Sequence, residues 1–145
     1  TEEKENTLNF CYGFLSYKKG ELDIALDYLS KSNFSNFILK IQVKILLLQL
    51  SIDKKYYEQA VLMIDSFRHY LSREKSILNS IKVSLLEFLK ISGELIKINT
   101  LVSEKDKDYK IEKIKNEIEN MSSNRFGIKI WLREKAEELI DNMPG

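Results

Sequence analysis

The chain has 145 residues, 43% of them hydrophobic and 31% charged, enough for one domain with a sizeable core and too apolar for a disordered segment. Its 23 basic and 22 acidic side chains leave a net charge of +1, so no global field draws nucleic acid, an anionic membrane or an acidic substrate. One cysteine excludes an internal disulfide and a Cys-rich zinc site, and one histidine excludes a multi-His metal centre.

Apolar residues recur at helical spacing nearly throughout, and alternating strand patterns bounded by turn residues are missing. Leu8, Tyr12, Leu15 and Lys19 follow steps of three and four and predict a first helix over about 5–19. Gly20, between Lys18-Lys19 and Glu21, reads as a helix stop and a new start, which puts the second helix at about 21–32. Ser32-Asn33 closes it, and Ser35 or Asn36 caps the next. Phe34, Ile38, Ile41, Ile45 and Leu48 carry the third helix over 35–53. That helix is apolar almost all round, so it should be central and covered on several sides.

Asp53-Lys54-Lys55 ends it and a fourth helix follows at 56–72. Ser72 to Ser76 is a polar break before a long fifth helix at 75–100. Ser103 and Asp106 stand in capping-box-like spacing ahead of a sixth helix at 105–121. Met121 to Asn124 separates it from a seventh at 125–141. The only proline, Pro144, interrupts no helix. Connections this short force successive helices to lie antiparallel as neighbours. Purely apolar runs such as Ile45 to Leu48 fall far short of the roughly 20 residues of a membrane span. No apolar leader opens the sequence, so a cytoplasmic, non-membrane protein is expected.

A repeat emerges when Ala25 is set on Ala60, an offset of 35 residues. Leu26-Asp27-Tyr28-Leu29 then falls on Val61-Leu62-Met63-Ile64, and Leu22 on Tyr57. The stretch from Tyr17 to Leu29, with Gly13 ahead of it, resembles the tetratricopeptide repeat. Gly13 matches the small residue of the family's first helix, Gly20 its turn, Leu22 its large apolar position and Ala25 the helix crossing. In the second repeat Tyr57 and Ala60 match, while Lys55 replaces the turn glycine and Leu48 the small residue. The third hairpin keeps no such pattern. The segment Ile130 to Lys135 is also similar to the C-terminal helix of bacterial tetratricopeptide-like proteins.

The resemblance implies an all-α fold of antiparallel helical hairpins in a right-handed superhelix of about seven helices. One domain, 1–145, would hold hairpins at about 5–32, 35–72 and 75–121 and a terminal helix at 125–141. It also implies a concave face for a protein partner. Carried onto this sequence, that face comprises Phe10, Phe14 and Tyr17 in the first repeat and Ile45, Gln49 and Ile52 in the second. Repeat domains that grip carboxylate tails use Lys and Asn where Phe10 and Phe14 stand, so a carboxylate clamp is not expected. The inner surface reads as apolar and aromatic, suited to an apolar or helical segment of a partner.

No catalytic set assembles. Cys11 beside Phe10 and Tyr12 reads as a packed structural cysteine, since a reactive thiol needs an electropositive, exposed site. His69 follows Asp65 at i+4, but no nucleophile is placed beside them. Glu134, Glu137 and Glu138 read as a solvated helix face, as do the mixed charges from Glu104 to Glu119. Tyr56, Tyr57, Phe67 and Tyr70 read as packing, not as a base-stacking platform. Trp131 reads as the anchor that docks the last helix. The expectation is therefore a scaffold without catalytic, metal or cofactor site, a module of a larger protein that binds a protein or peptide. The alternative is an end-cap or homo-oligomerisation module whose groove is filled by its own chain or a second copy.

Overall fold

The Thr1 hydroxyl accepts a hydrogen bond from the Lys4 N–H at 3.3 Å and starts α1 (Glu2–Lys18). The computed structural model describes residues 1–100 and 103–141; Pro144 lies outside them. At the end of α1 the Glu21 N–H donates to the Ser16 carbonyl at 2.9 Å and the Gly20 N–H to the Tyr17 carbonyl at 3.0 Å. This double closure needs a left-handed residue, and Gly20 supplies it with φ +80°. The chain turns directly into α2 (Leu22–Ser30).

Asn36 starts α3 (Phe37–Asp53), its side-chain oxygen accepting from Ile38 and Leu39 N–H at 2.9 and 3.2 Å. The end of α3 repeats the end of α1. Tyr56 N–H donates to the Ser51 carbonyl at 2.8 Å and Lys55 N–H to the Ile52 carbonyl at 3.0 Å, with Lys55 left-handed at φ +63°. Then follow α4 (Tyr57–Arg73), α5 (Asn79–Thr100), α6 (Glu104–Glu119) and α7 (Ile128–Asp141). The described residues thus form seven α-helices and no strand, an all-α protein as the periodicity predicts.

Two starts are later than the sequence suggests. The fifth helix begins at Asn79, not at 75. Ser76 spends its hydroxyl on the Glu74 carboxylate at 2.7 Å, a local bond that competes with helical winding. The last helix begins at Ile128, because Phe126 and Gly127 are both left-handed and leave only a 3-10 turn at Arg125–Gly127.

The chain divides into two compact units, Thr1–Phe67 and Arg68–Gly145, with the boundary inside α4. In the first unit α3 packs on both α1 and α2. Its core gathers Ala25, Leu29 and Leu50, flanked by Phe10, Tyr17, Leu22, Leu26, Leu46 and Leu47. Gly13 lies under Leu29 so closely that a Cβ there would stand 2.7 Å from the Leu29 Cγ. Gly13 is buried against α2, Gly20 is left-handed and Ala25 has no exposed surface.

In the second unit α7 packs on both α5 and α6. Trp131 meets the Phe88 ring edge-on at 6.0 Å between centroids, so it anchors the last helix against α5 as expected. Leu132, Ile128 and Ala136 are buried with it. Polar bonds at the rim hold α7 to α6: Lys129 Nζ donates to the Glu119 carbonyl at 3.1 Å and Arg133 Nε to the Glu119 carboxylate at 3.0 Å. No helix among the described residues is long and apolar enough to cross a membrane.

Candidate interaction surface

The six residues carried onto a concave face do not share one environment. Phe14 is 40% exposed and stacks on Phe10 at 6.5 Å with the rings 21° apart. The Lys18 ammonium stands 5.4 Å from the Phe14 ring centroid, within cation–π reach. Phe10 is half-buried, its ring edge-on to buried Phe34 at 6.0 Å and packed against the Ala25–Leu29–Leu50 core. Tyr17 also packs on that core, and its hydroxyl donates to the Asp53 carboxylate at 2.8 Å. Tyr17 thereby ties the end of α1 to the end of α3.

Ile45, Gln49 and Ile52 are buried, so the second-repeat half of the expected surface is not open. The physical reason lies in α3 itself. Buried side chains follow one another around nearly its whole circumference, from Ile41 and Val43 to Leu48, Leu50, Ser51 and Ile52. What remains accessible of the six is the Phe14 ring with the edges of Phe10 and Tyr17.

Cys11 is exposed, not packed. The buried side of α1 runs through Gly13 and Ser16, and Cys11 falls on the opposite side of the helix. The same exposed side carries Leu8, Tyr12 and Leu15, at 44%, 50% and 53% exposure. Their spacing marks a helix, but this side stays open except where Tyr12 meets the Tyr28 ring of α2 at its edge. Sequence reasoning missed this apolar side; the signal that could have found it is the 35-residue offset, which places Leu15 on Leu50.

Among the described residues no three His, Cys, Asp or Glu side chains gather as a metal site would require. On α7, Glu137 pairs with Lys115 at 3.5 Å and Glu138 with Lys135 at 3.1 Å. His69 offers its carbonyl to the Ser72 hydroxyl at 2.9 Å in the last turns of α4. Of the four aromatics near α4, Phe67 is buried and Tyr56 lies under the Lys54 ammonium at 5.2 Å.

Between α5 and α6 an open cleft of about 230 Å³ is lined by Glu94, Lys97, Tyr109, Lys110 and Lys113 over Ile98 and Ile114. Burial raises the Glu94 pKa above the ordinary carboxylate value, and the neighbouring Glu117 carboxylate adds to the rise by repulsion and by a hydrogen bond. Lys90 and Lys113 oppose it.

No protein-family model matches the chain, and neither a curated protein nor a solved structure does.

Proposed function

We propose that this chain is a non-catalytic, tetratricopeptide-like helical-repeat module that binds a protein partner through the first hairpin. The observation that carries the reading is the Phe14 ring, left open beside Phe10 and under Lys18 on a hairpin whose turn and crossing recur 35 residues later. A large aromatic held by its neighbours at a helix surface can enter an apolar partner site with little loss of side-chain freedom. The partner is an apolar or helical segment, and the open strip around Phe14 is the contact, since Ile45, Gln49 and Ile52 are buried. Right-handed superhelical stacking is part of this reading. It is supported by the matched ends of α1 and α3 and by the two fully buried alanines, Ala25 and Ala60.

A photo-crosslinker placed at position 18 in the cell tests it. A discrete adduct with another protein is expected, lost on Phe14→Glu without a change in melting temperature. An adduct that persists in the Phe14→Glu variant removes the strip from consideration. Cys11→Ser and His69→Ala should leave the adduct and the phenotype intact, and a phenotype from either at unchanged stability would revive an enzymatic reading.

A further inference from the structure

We infer that the outward side of α1, built from Leu8, Tyr12 and Leu15, is a docking face for a further helical hairpin of the α1–α2 type. This face lies on the side of α1 away from the buried Gly13 and Ser16, with Tyr12 at its α2 edge, and the inference does not depend on the Phe14 strip.

The argument rests on what α3 does with the same positions. Moved forward by 35 residues, Leu8, Cys11, Tyr12 and Leu15 fall on Val43, Leu46, Leu47 and Leu50. Leu50 is fully buried against Ala25 and Leu29, and Leu46 and Leu47 pack on the same cluster. That set is how α3 seats itself on the first hairpin. The two helices end in the same pair of backbone hydrogen bonds and the same left-handed residue, and each leads into a helix with a fully buried alanine. They are equivalent elements, and α1 presents the same apolar side with nothing seated on it among the described residues.

The match extends onto the second helix of each pair. Tyr12 meets the Tyr28 ring at 5.4 Å, and Ile24 beside them is 49% exposed. Their counterparts are Leu47, Met63 and Gln59, which line one shallow cleft between α3 and α4. Large apolar side chains at positions i, i+4 and i+7 form a stripe that water solvates poorly.

The chemistry of the occupant follows from the seat that Leu50 takes. It presents a small residue at a helix crossing with aliphatic side chains around it, as Ala25 and Leu29 do. A second copy of this chain cannot offer that seat, because its own Leu50 already covers it. An extended peptide would lay unpaired backbone groups on an apolar helix face, which is costly. A helical hairpin satisfies its own backbone and brings the matching crossing.

The test uses the full chain, extended at its N-terminus by a second copy of residues 1–35 whose own cysteine is changed to serine. Cys11 is then the sole thiol, and it sits at the centre of the face. In the unextended chain Cys11 should react with an aromatic disulfide reagent as an exposed thiol does. The added hairpin should raise the helical signal and slow that reaction by about tenfold or more. Leu15→Glu in the original segment should restore the fast reaction in the extended chain while leaving the melting temperature of the unextended chain unchanged. Leu8→Glu should act in the same way. An added segment that stays unfolded, or one that is helical while Cys11 still reacts fast, overturns the inference. So does an unextended chain that light scattering finds dimeric with Cys11 protected, since the face would then belong to a second copy. Phe14→Glu in the unextended chain reports on the strip alone, and the Cys11 reaction in the extended chain reports on this face.

Discussion

Gly20 and Lys55, 35 residues apart, hold the same left-handed backbone, φ +80° and +63°, at the ends of α1 and α3. Each closes its helix by donating to the carbonyl three residues back, Tyr17 for Gly20 and Ile52 for Lys55, at 3.0 Å in both. Each is followed by a residue that reaches a further carbonyl, Glu21 to Ser16 and Tyr56 to Ser51. Glycine takes this conformation without a steric cost; lysine does not.

That difference gives opposite mutational signs at equivalent positions. Lys55→Gly should stabilise the protein by about 0.5–1 kcal/mol, the relief of a side chain held left-handed less the added freedom of the unfolded chain. Gly20→Ala should destabilise by about 1 kcal/mol, through φ alone, because no heavy atom lies within 4 Å of an added Cβ. Chemical denaturation of both variants measures the pair. Equal signs would mean that the two turns are not equivalent.

A sharper case is Gly13 under Leu29. An alanine gains about 1 kcal/mol of helix propensity, but its Cβ would stand 2.7 Å from Leu29 Cγ and 3.3 Å from the Leu29 backbone nitrogen. Leu29 has no exposed surface into which to retreat, so overpacking costs about 1–3 kcal/mol and wins. In a Leu29→Ala background the side-chain obstruction is gone, only the 3.3 Å approach to the backbone nitrogen remains, and Gly13→Ala should lose most of its cost. A double-mutant cycle should therefore show a coupling on the order of 2 kcal/mol, and additive effects would contradict the close approach.

The first hairpin was legible because its backbone dictates residue types. Only glycine suits Gly20 without strain, and only a residue with little side chain fits at Gly13 and Ala25. The second turn was less so: hydrogen bonds hold Lys55 left-handed, and nothing about a lysine announces it. Helix faces were harder still. Periodicity marks Leu8, Tyr12 and Leu15 as one side of a helix but does not say that this side stays open, and Cys11 beside them is exposed where a packed residue is expected. Ile45, Gln49 and Ile52 were expected on an open face and are buried, because a helix apolar all round gives no local sign of which side stays open.

Ala25 and Ala60 have no exposed surface, and Ala25 sits in the cluster where α3 meets the first hairpin. Leucine at either position forces three further carbons into a packed site, at a cost of about 1–3 kcal/mol. Thermal unfolding should show a lower midpoint for each variant. An unchanged midpoint for Ala60→Leu with a lowered one for Ala25→Leu would restrict the close crossing to the first hairpin.

The α5–α6 cleft makes stability depend on pH through Glu94. Its folded pKa lies above the ordinary 4.5, raised first by burial, then by the charge of Glu117 and a hydrogen bond to it, against the pull of Lys90 and Lys113. A carboxyl with a raised folded pKa binds its proton more tightly in the folded state than in the unfolded one. Its contribution is therefore fully present below the unfolded value and is lost as pH rises from there through the folded value. Glu94→Gln keeps a neutral, hydrogen-bonding side chain at the site at every pH. The variant should match the parent near pH 4, exceed it in stability at pH 7, and show a flatter profile between. Denaturant titrations at a series of pH values measure this, and a variant less stable than the parent at pH 7 would show that ionised Glu94 is held by Lys90 and Lys113 more strongly than burial and Glu117 oppose it.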